Sequence, residues 1–344
     1  MTQTSMASNT TVPTPPAADH GGGTPITSIH PDIIQSHILN RLDGPTLAST
    51  SCASAQLLSL CSEDCLWMSI CNSAWPSTTH PTVRRAIDAF PSGHRSFYSD
   101  SFPAVRCRGP SEKARQVRVP GTSEFISAVD IYCDEKLVYS KVLVTETLSG
   151  WFLSSPFRID LLEPKETVPT PLKYDGEEGA CMELAEDRIR VSWILIDPTK
   201  KRAVNVASLK AVEARRHWLT EDIQLRYATV MAGDGGELVQ CGVVMTCGGK
   251  EDGELQVREV SMQVEDMEGR ILTGLDSLVI LDEAMEGQRR KSDSESEKAI
   301  YESFLSMKVE SRERKQRRER GVDMACIAAG VSIFVAIWMI FFWR

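Results

Sequence analysis

Twenty consecutive residues, Met324 to Trp343, carry no charge, and they constrain this chain more than any other stretch. As a helix rising about 1.5 Å per residue they span the roughly 30 Å hydrocarbon core of a bilayer. Inside lipid a lone segment satisfies its backbone only as a helix, so a transmembrane helix is expected here. Trp338 and Trp343 suit the aromatic belt at a membrane interface. Between Lys308 and Arg320 lie seven basic residues (308, 312, 314, 315, 317, 318, 320) against three acidic ones (310, 313, 319). Positive flanks stay on the cytoplasmic side, and such a cluster also attracts anionic lipid. Residues 1 to 28 are rich in Thr, Ser, Pro and Gly and contain no long apolar run, so no signal segment opens the chain. With Arg344 alone after the apolar stretch, the expectation is a single-pass tail anchor. The N-terminal body would lie in the cytosol, at the endoplasmic reticulum or another cytosol-facing membrane.

The ten cysteines are scattered, and reduced thiols are expected in such a body. Cys61, Cys65 and Cys71 lack a second paired ligand set and fit helical positions better than a zinc site.

Residues 29 to 71 carry the other strong pattern. Apolar positions 34, 38, 39 and 42 form a helical stripe opened by Pro31, whose missing N–H is harmless at a first helical position. Asp43-Gly44-Pro45 then stops it, with Gly44 free to take the left-handed conformation and Pro45 fit for the first turn of the next helix, which carries Leu47. A third helical stretch leads through Leu57, Leu58 and Leu60 to Trp67. So short a segment buries little by itself and reads as a docking module. Its layout resembles an F-box, with Pro31, Leu39, Leu42, Leu47, Cys52 and Trp67 in the family's places and His30 where the family usually has Leu. The resemblance implies binding to a Skp-type adaptor and, through it, to a cullin-RING ubiquitin ligase. It implies adaptor contacts at Pro31, Ile34, Ile38, Leu39, Leu42, Leu47 and Trp67, in a helix-in-groove mode.

Between these ends the chain has strand character at 128–132, 136–144, 188–196, 223–231, 237–247 and 255–264. Alternation places Ile189, Val191 and Trp193 inward and Arg188, Arg190 and Ser192 outward; Val257, Val260 and Val264 form a less regular set. Asp197-Pro198, Gly233-Asp234-Gly235-Gly236 and Gly248 to Gly253 punctuate the runs as turns. Helices long enough for parallel crossovers are missing between most strands, so the pairing reads as antiparallel.

Residues 188 to 287 also resemble the distal region of a group of plant F-box proteins, through Ser192-Trp193-Ile194-Leu195-Ile196-Asp197-Pro198, Arg216-His217-Trp218-Leu219-Thr220 and Asp276-Ser277-Leu278-Val279-Ile280-Leu281. A fainter likeness to phloem-lectin domains rests on the Trp and Asp-Pro. Trp218, set among Arg215, Arg216, His217, Glu221 and Asp222, reads either as an interface hot spot or as a core residue, and with His217 it is the expected client contact. Gly287 to Glu297 is charged and Ser-rich and reads as a flexible hinge, in which Ser292, Ser294 and Ser296 are either acceptors for phosphorylation or simply part of an acidic linker.

Catalytic signals are poor. Gly248-Gly249-Lys250 fails as a phosphate loop because Val244 replaces its first glycine and Glu251 its hydroxyl residue. The net charge of −9 argues against nucleic acid. No catalytic residue, cofactor or metal is expected, and the chain is not expected to be an enzyme.

The resulting expectation is an α+β chain: residues 1–27 disordered, 28–72 a small three-helix F-box, 73–120 a connecting region, 121–286 an antiparallel β-sandwich-like substrate-binding domain, 287–322 a charged linker and juxtamembrane helix, and 323–343 one transmembrane helix. Its expected role is the substrate-recognition subunit of a Skp-cullin-F-box ubiquitin ligase, tethered to a membrane and recruiting a client protein of unknown identity. The alternative is a membrane-anchored F-box scaffold or binding module acting without a ligase.

Overall fold

The computed structural model describes residues 29–102, 104–105, 121–173, 178–233, 237–249, 253–290 and 293–343, without the side chains of 104, 105, 178–181 and 184. The expectations for residues 1–27, for the basic stretch 106–120 and for Lys250 and Ser292 lie outside the described residues. The chain is α+β, with a helical N-terminal region, antiparallel sheets and a long C-terminal helix. The described residues divide into two compact units between Ser62 and Glu63, and the division falls inside the 28–72 segment.

In the first unit α1 (Pro31–Ile33) starts at Pro31, with the Asp32 N–H donating to His30 Nδ1 at 3.3 Å. It passes into a π turn (Ile34–Ile38) and a 3₁₀ turn (Leu39–Arg41). This change of pitch corrects the stripe read from sequence. In a π turn residues five apart stack, so Ile34 and Leu39 are buried together while Ile38 turns outward. Asp43 caps α2 (Gly44–Ser51), its Oδ1 accepting from the Thr46 N–H at 3.0 Å, and the Thr46 side chain first, then this N–H, hold its carboxyl below the usual range. Gly44 is therefore the first residue of a helix, not a left-handed stop; the positive-φ glycines are 93, 253 and 269. Ser54 caps α3 (Ala55–Cys61) in the same way through the Leu57 N–H.

The second unit begins with α4 (Asp64–Ala74), a 3₁₀ turn (Pro76–Thr79), α5 (Pro81–Asp88) and α6 (Gly93–Ser101). Trp67 lies 5.2 Å from Tyr98, and Trp75, Phe90 and Phe97 complete an aromatic cluster. Gly93 has φ +51° and approaches the Asp64 carboxylate where a Cβ would collide. That carboxylate accepts from the His94 N–H at 2.8 Å.

Short β1 (Ala104–Val105) precedes β2 (Glu124–Cys133), β3 (Lys136–Glu146), α7 (Gly150–Ser154), β4 (Arg158–Asp160), β5 (Val168–Lys173), α8 (Glu178–Arg188), β6 (Ile189–Asp197), β7 (Arg202–Asn205), β8 (Glu213–Arg216), β9 (Ile223–Ala232), β10 (Leu238–Gly249) and β11 (Glu254–Glu265). One sheet runs β3-β2-β6-β7; the other runs β4-β11-β10-β9-β8, with β5 also on β11. All their pairings are antiparallel. The core joins both sheets, with Val129, Ile131, Val191 and Trp193 from the first and Leu225, Tyr227, Val243 and Met262 from the second. The irregular spacing of Val257 and Val260 has a cause: Thr246 faces Glu259 and Cys247 faces Val257, so Arg258 is a bulge and both valines point into the core.

The expectation that Ser192 faces water fails, because the first sheet is covered on both faces at its centre. Ser192, Ile194 and Ile196 are buried beside Asp130 and Ala128. Burial raises the Asp130 carboxyl above its ordinary pKa, while the Ser77 N–H (3.0 Å), the Ser77 hydroxyl (2.6 Å) and the Ser140 hydroxyl (2.7 Å) donate to it. Through these bonds the 3₁₀ turn is fixed to β2.

After β11 come α9 (Gly274–Glu286), β12 (Arg289–Arg290), which pairs with β1, and α10 (Ser294–Phe342). The Arg289 guanidinium donates to the carbonyls of Asp100, Ala203, Ala284, Met285 and Gly287. The flexible hinge expected here is thus a stitched segment, and helix and apolar stretch are one continuous element of 49 residues.

Candidate functional site

Three surfaces carry the residues singled out from sequence. On the first unit, Ile34, Leu39 and Leu47 are core residues, as is Trp67 in the second. Their side chains are packed in the interior and hold the helices. Pro31 and Ile38 are exposed and Leu42 is half-buried. Ile33 and Leu58, which sequence reasoning did not select, are exposed as well. For Ile33 the change of pitch at the adjoining π turn is what a regular 3.6-residue stripe overlooks; Leu58 lies on α3 next to the buried Leu57.

The second surface is the β8–β9 hairpin. Its loop closes through the His217 N–H on the Asp222 carbonyl (2.8 Å) and the Glu221 N–H on the His217 carbonyl (2.9 Å), with Glu221 at φ +59°. The Thr220 N–H donates to His217 Nδ1, which fixes the ring. Arg258 pairs with Asp222 at 3.0 Å and donates to the Gly249 carbonyl, and Gly248 leaves room where a Cβ would strike both Arg258 and Asp222. On this braced loop Trp218 is 86% exposed and Leu219 is exposed beside it. Trp218 is therefore not a core plug. Trp193 is, sealed among the two sheets, which removes it from any glycan-binding role.

The third surface is α10. Asp293 caps it through the Ser296 N–H (2.9 Å), so Ser294 and Ser296 lie in its first turn. Tyr301 and Phe304 are buried, with Tyr301 and Leu305 packed against Val212 and Ala228. The Tyr301 hydroxyl donates to Glu213 at 2.8 Å, and burial, then Glu213, raises its pKa. Arg226 pairs with Glu213 and, at 3.0 Å, with Glu265, which also receives Gln240 and faces Lys308 at 3.9 Å. Farther along, Arg312 donates to the Glu268 carbonyl and Lys315 to its carboxylate at 2.7 Å, which, with Arg270, lowers the Glu268 pKa. From residue 321 to Trp343 every side chain is exposed. Among the described residues α10 is the one helix long and apolar enough to cross a membrane, by length and composition.

Among the described residues no group of three or more His, Cys, Asp or Glu is placed to hold a metal. Cys61 and Cys71 are buried, and burial, with Asp64, pushes the Cys71 thiol up to about 12.

A small helical unit with exposed apolar residues precedes a large β-rich body in this chain. Comparison gives the family. The chain is 46% identical over 331 residues to F-box protein At2g27310 of Arabidopsis thaliana, covering 92% of this chain and 96% of that one. It is 42% identical over 325 residues to the probable F-box protein At2g36090 (93% and 94%) and 37% identical over 354 residues to F-box protein At3g44326 (98% and 95%), both also from Arabidopsis thaliana. The chain belongs to this plant F-box protein family. No family profile and no solved structure matches it.

Proposed function

We propose that this protein is a non-catalytic substrate-recognition subunit of a Skp-cullin-F-box ubiquitin ligase, held at a membrane by the apolar half of α10. The first unit would dock a Skp-type adaptor, the β-rich body would hold a client through Trp218 and His217, and the body would face the cytosol, as the basic flank of α10 requires. The observation that carries this reading is likeness to named F-box proteins along more than nine-tenths of the chain, the helical first unit included. Its contribution to ubiquitin transfer would be proximity: confinement to one membrane face raises the effective concentration of clients there.

The adaptor face follows from exposure, with Ile33 and Ile38 as anchors beside Pro31 and Leu42. Ile33→Asp with Ile38→Asp should abolish capture of a purified Skp-type adaptor in a pull-down, leaving the melting temperature within about 1 °C because neither side chain is in the core. Undiminished capture would refute this face. Leu47→Ala is a different experiment, since truncating a fully buried leucine costs about 2–5 kcal/mol and unfolds the unit rather than testing contact.

A further inference from the structure

α10 does more than lead to the membrane, because its docked half fixes which corner of the body faces the bilayer. Tyr301 meets Glu213 beside β8, with Val212 and Ala228 at its side, whereas Lys308 reaches Glu265 at the end of β11 and Arg312 and Lys315 reach Glu268 in the turn beyond. The helix therefore crosses the sheet from the β8 edge toward β11 and leaves at the C-terminal end of β11. The β8–β9 hairpin lies at the other end: Ile223 pairs with Cys247 and Cys247 with Val257, eight residues before Glu265, or about 26 Å along the strand.

α7 lies at the end where α10 departs. It runs directly into β4, whose Arg158 faces Gln263 near the end of β11, and the Ser155 carbonyl accepts from the Gly274 N–H just past the Glu268 turn. Phe152 turns inward onto Phe157, 5.9 Å between rings, while Trp151 on the same short helix is 79% exposed, with Leu148 and Ile271 also exposed. Among the described residues, no ring contact or side-chain hydrogen bond ties the Trp151 indole to the body.

From Lys315 to Met324 the helix rises about 14 Å, and the headgroup layer takes about 5–8 Å of that. A tryptophan projecting from this corner spans the difference. Interfacial layers favour such amphipathic rings. Resting on the reading that α10 spans the bilayer, we infer that the α7 corner is a second membrane contact, with Trp151 and Leu148 seated in the phospholipid interface and Trp218 held at the membrane-distal end. The body is then fixed in orientation, and the client surface addresses proteins reaching in from the cytosol rather than segments embedded in lipid.

The full chain, with Cys52, Cys65, Cys107, Cys181 and Cys326 changed to Ser, is reconstituted into phosphatidylcholine–phosphatidylserine vesicles. It carries a fluorophore at Trp151→Cys or at Trp218→Cys, and some lipids carry a spin-label quencher near the headgroup. Quenching several-fold stronger at position 151 than at 218 is expected. Equal quenching at the two positions, in chains that resist carbonate extraction, overturns the second contact. Release of the chain by carbonate overturns the spanning reading and the inference with it.

Discussion

The two halves of α10 share one helix and differ in everything their side chains meet. In the first half Phe304 is 0% exposed, Tyr301 is bonded to Glu213, and Lys308, Arg312 and Lys315 reach acidic partners or carbonyls on the body. In the second half Phe341 is 81% exposed, and its apolar neighbours from Ile327 to Trp343 are likewise uncovered. The first half is pinned to the body through Tyr301 and Phe304, while the second buries nothing among the described residues and leaves an apolar surface uncovered.

The largest effect expected from this contrast comes from deleting residues 324–344. The deletion should move the protein wholly from the carbonate-resistant to the soluble fraction while the melting transition of the body persists. Retention of the truncated chain on membranes would break the division of labour between the halves. Next in size is a matched pair of substitutions. Phe304→Ala removes a buried ring and should cost about 3–5 kcal/mol, seen in denaturant unfolding, whereas Phe341→Ala, the same chemical change, should leave the unfolding midpoint of the body unchanged. Equal shifts would mean that the docked half contributes no more than the exposed one.

Trp218→Ala extends the contrast to the hairpin. The exposed ring should be lost without a fall in melting temperature, while capture of a client weakens by about 2 kcal/mol or more, as for an interface hot spot. A fall in melting temperature of several degrees would instead assign Trp218 to packing. The smallest effect concerns the Glu268 contact. Hydrogen bonding to Lys315, together with Arg270, lowers the Glu268 pKa below its usual 4.5. A carboxyl lowered on folding stabilises the docked state above the unfolded value and loses that contribution as pH falls through the folded one. Lys315→Gln should therefore make undocking of α10, followed by proteolysis near Arg320, less sensitive to acid below pH about 4.5. Unchanged acid sensitivity would remove Lys315 from the docking.

Much of this architecture was legible in the residues. The six long strands β2, β3, β6, β9, β10 and β11 coincide with the runs read from alternation, because each carries enough period-two repeats to be distinguished from a helix. Pieces of two to four residues, such as β1, β4, β7, β8 and β12, carry too few repeats to show a period. The Ser- and charge-rich segment around residue 290 concealed its packing, since the five carbonyls that Arg289 binds come from Asp100, Ala203 and the end of α9, none of them visible in the local sequence. The apolar stripe at 34, 38, 39 and 42 was legible as a set but its pitch was not, because a π turn buries Ile34 and Leu39 and leaves Ile38 exposed. Alternation marked Trp193 as inward, whereas the charged surroundings of Trp218 left core and surface open until the pairing of β8 with β9 placed it on their connecting loop.

Whether this F-box protein holds its adaptor at a membrane is decided by copurification. Full-length protein is solubilised in mild detergent from washed membranes of a plant cell, alongside the Ile33→Asp, Ile38→Asp variant, and its companions are identified. Skp-type adaptor and cullin should accompany the wild-type chain in the membrane fraction and be absent from the variant. A wild-type chain recovered from membranes with neither partner would contradict the proposed role, and so would one recovered with both partners only from the soluble fraction.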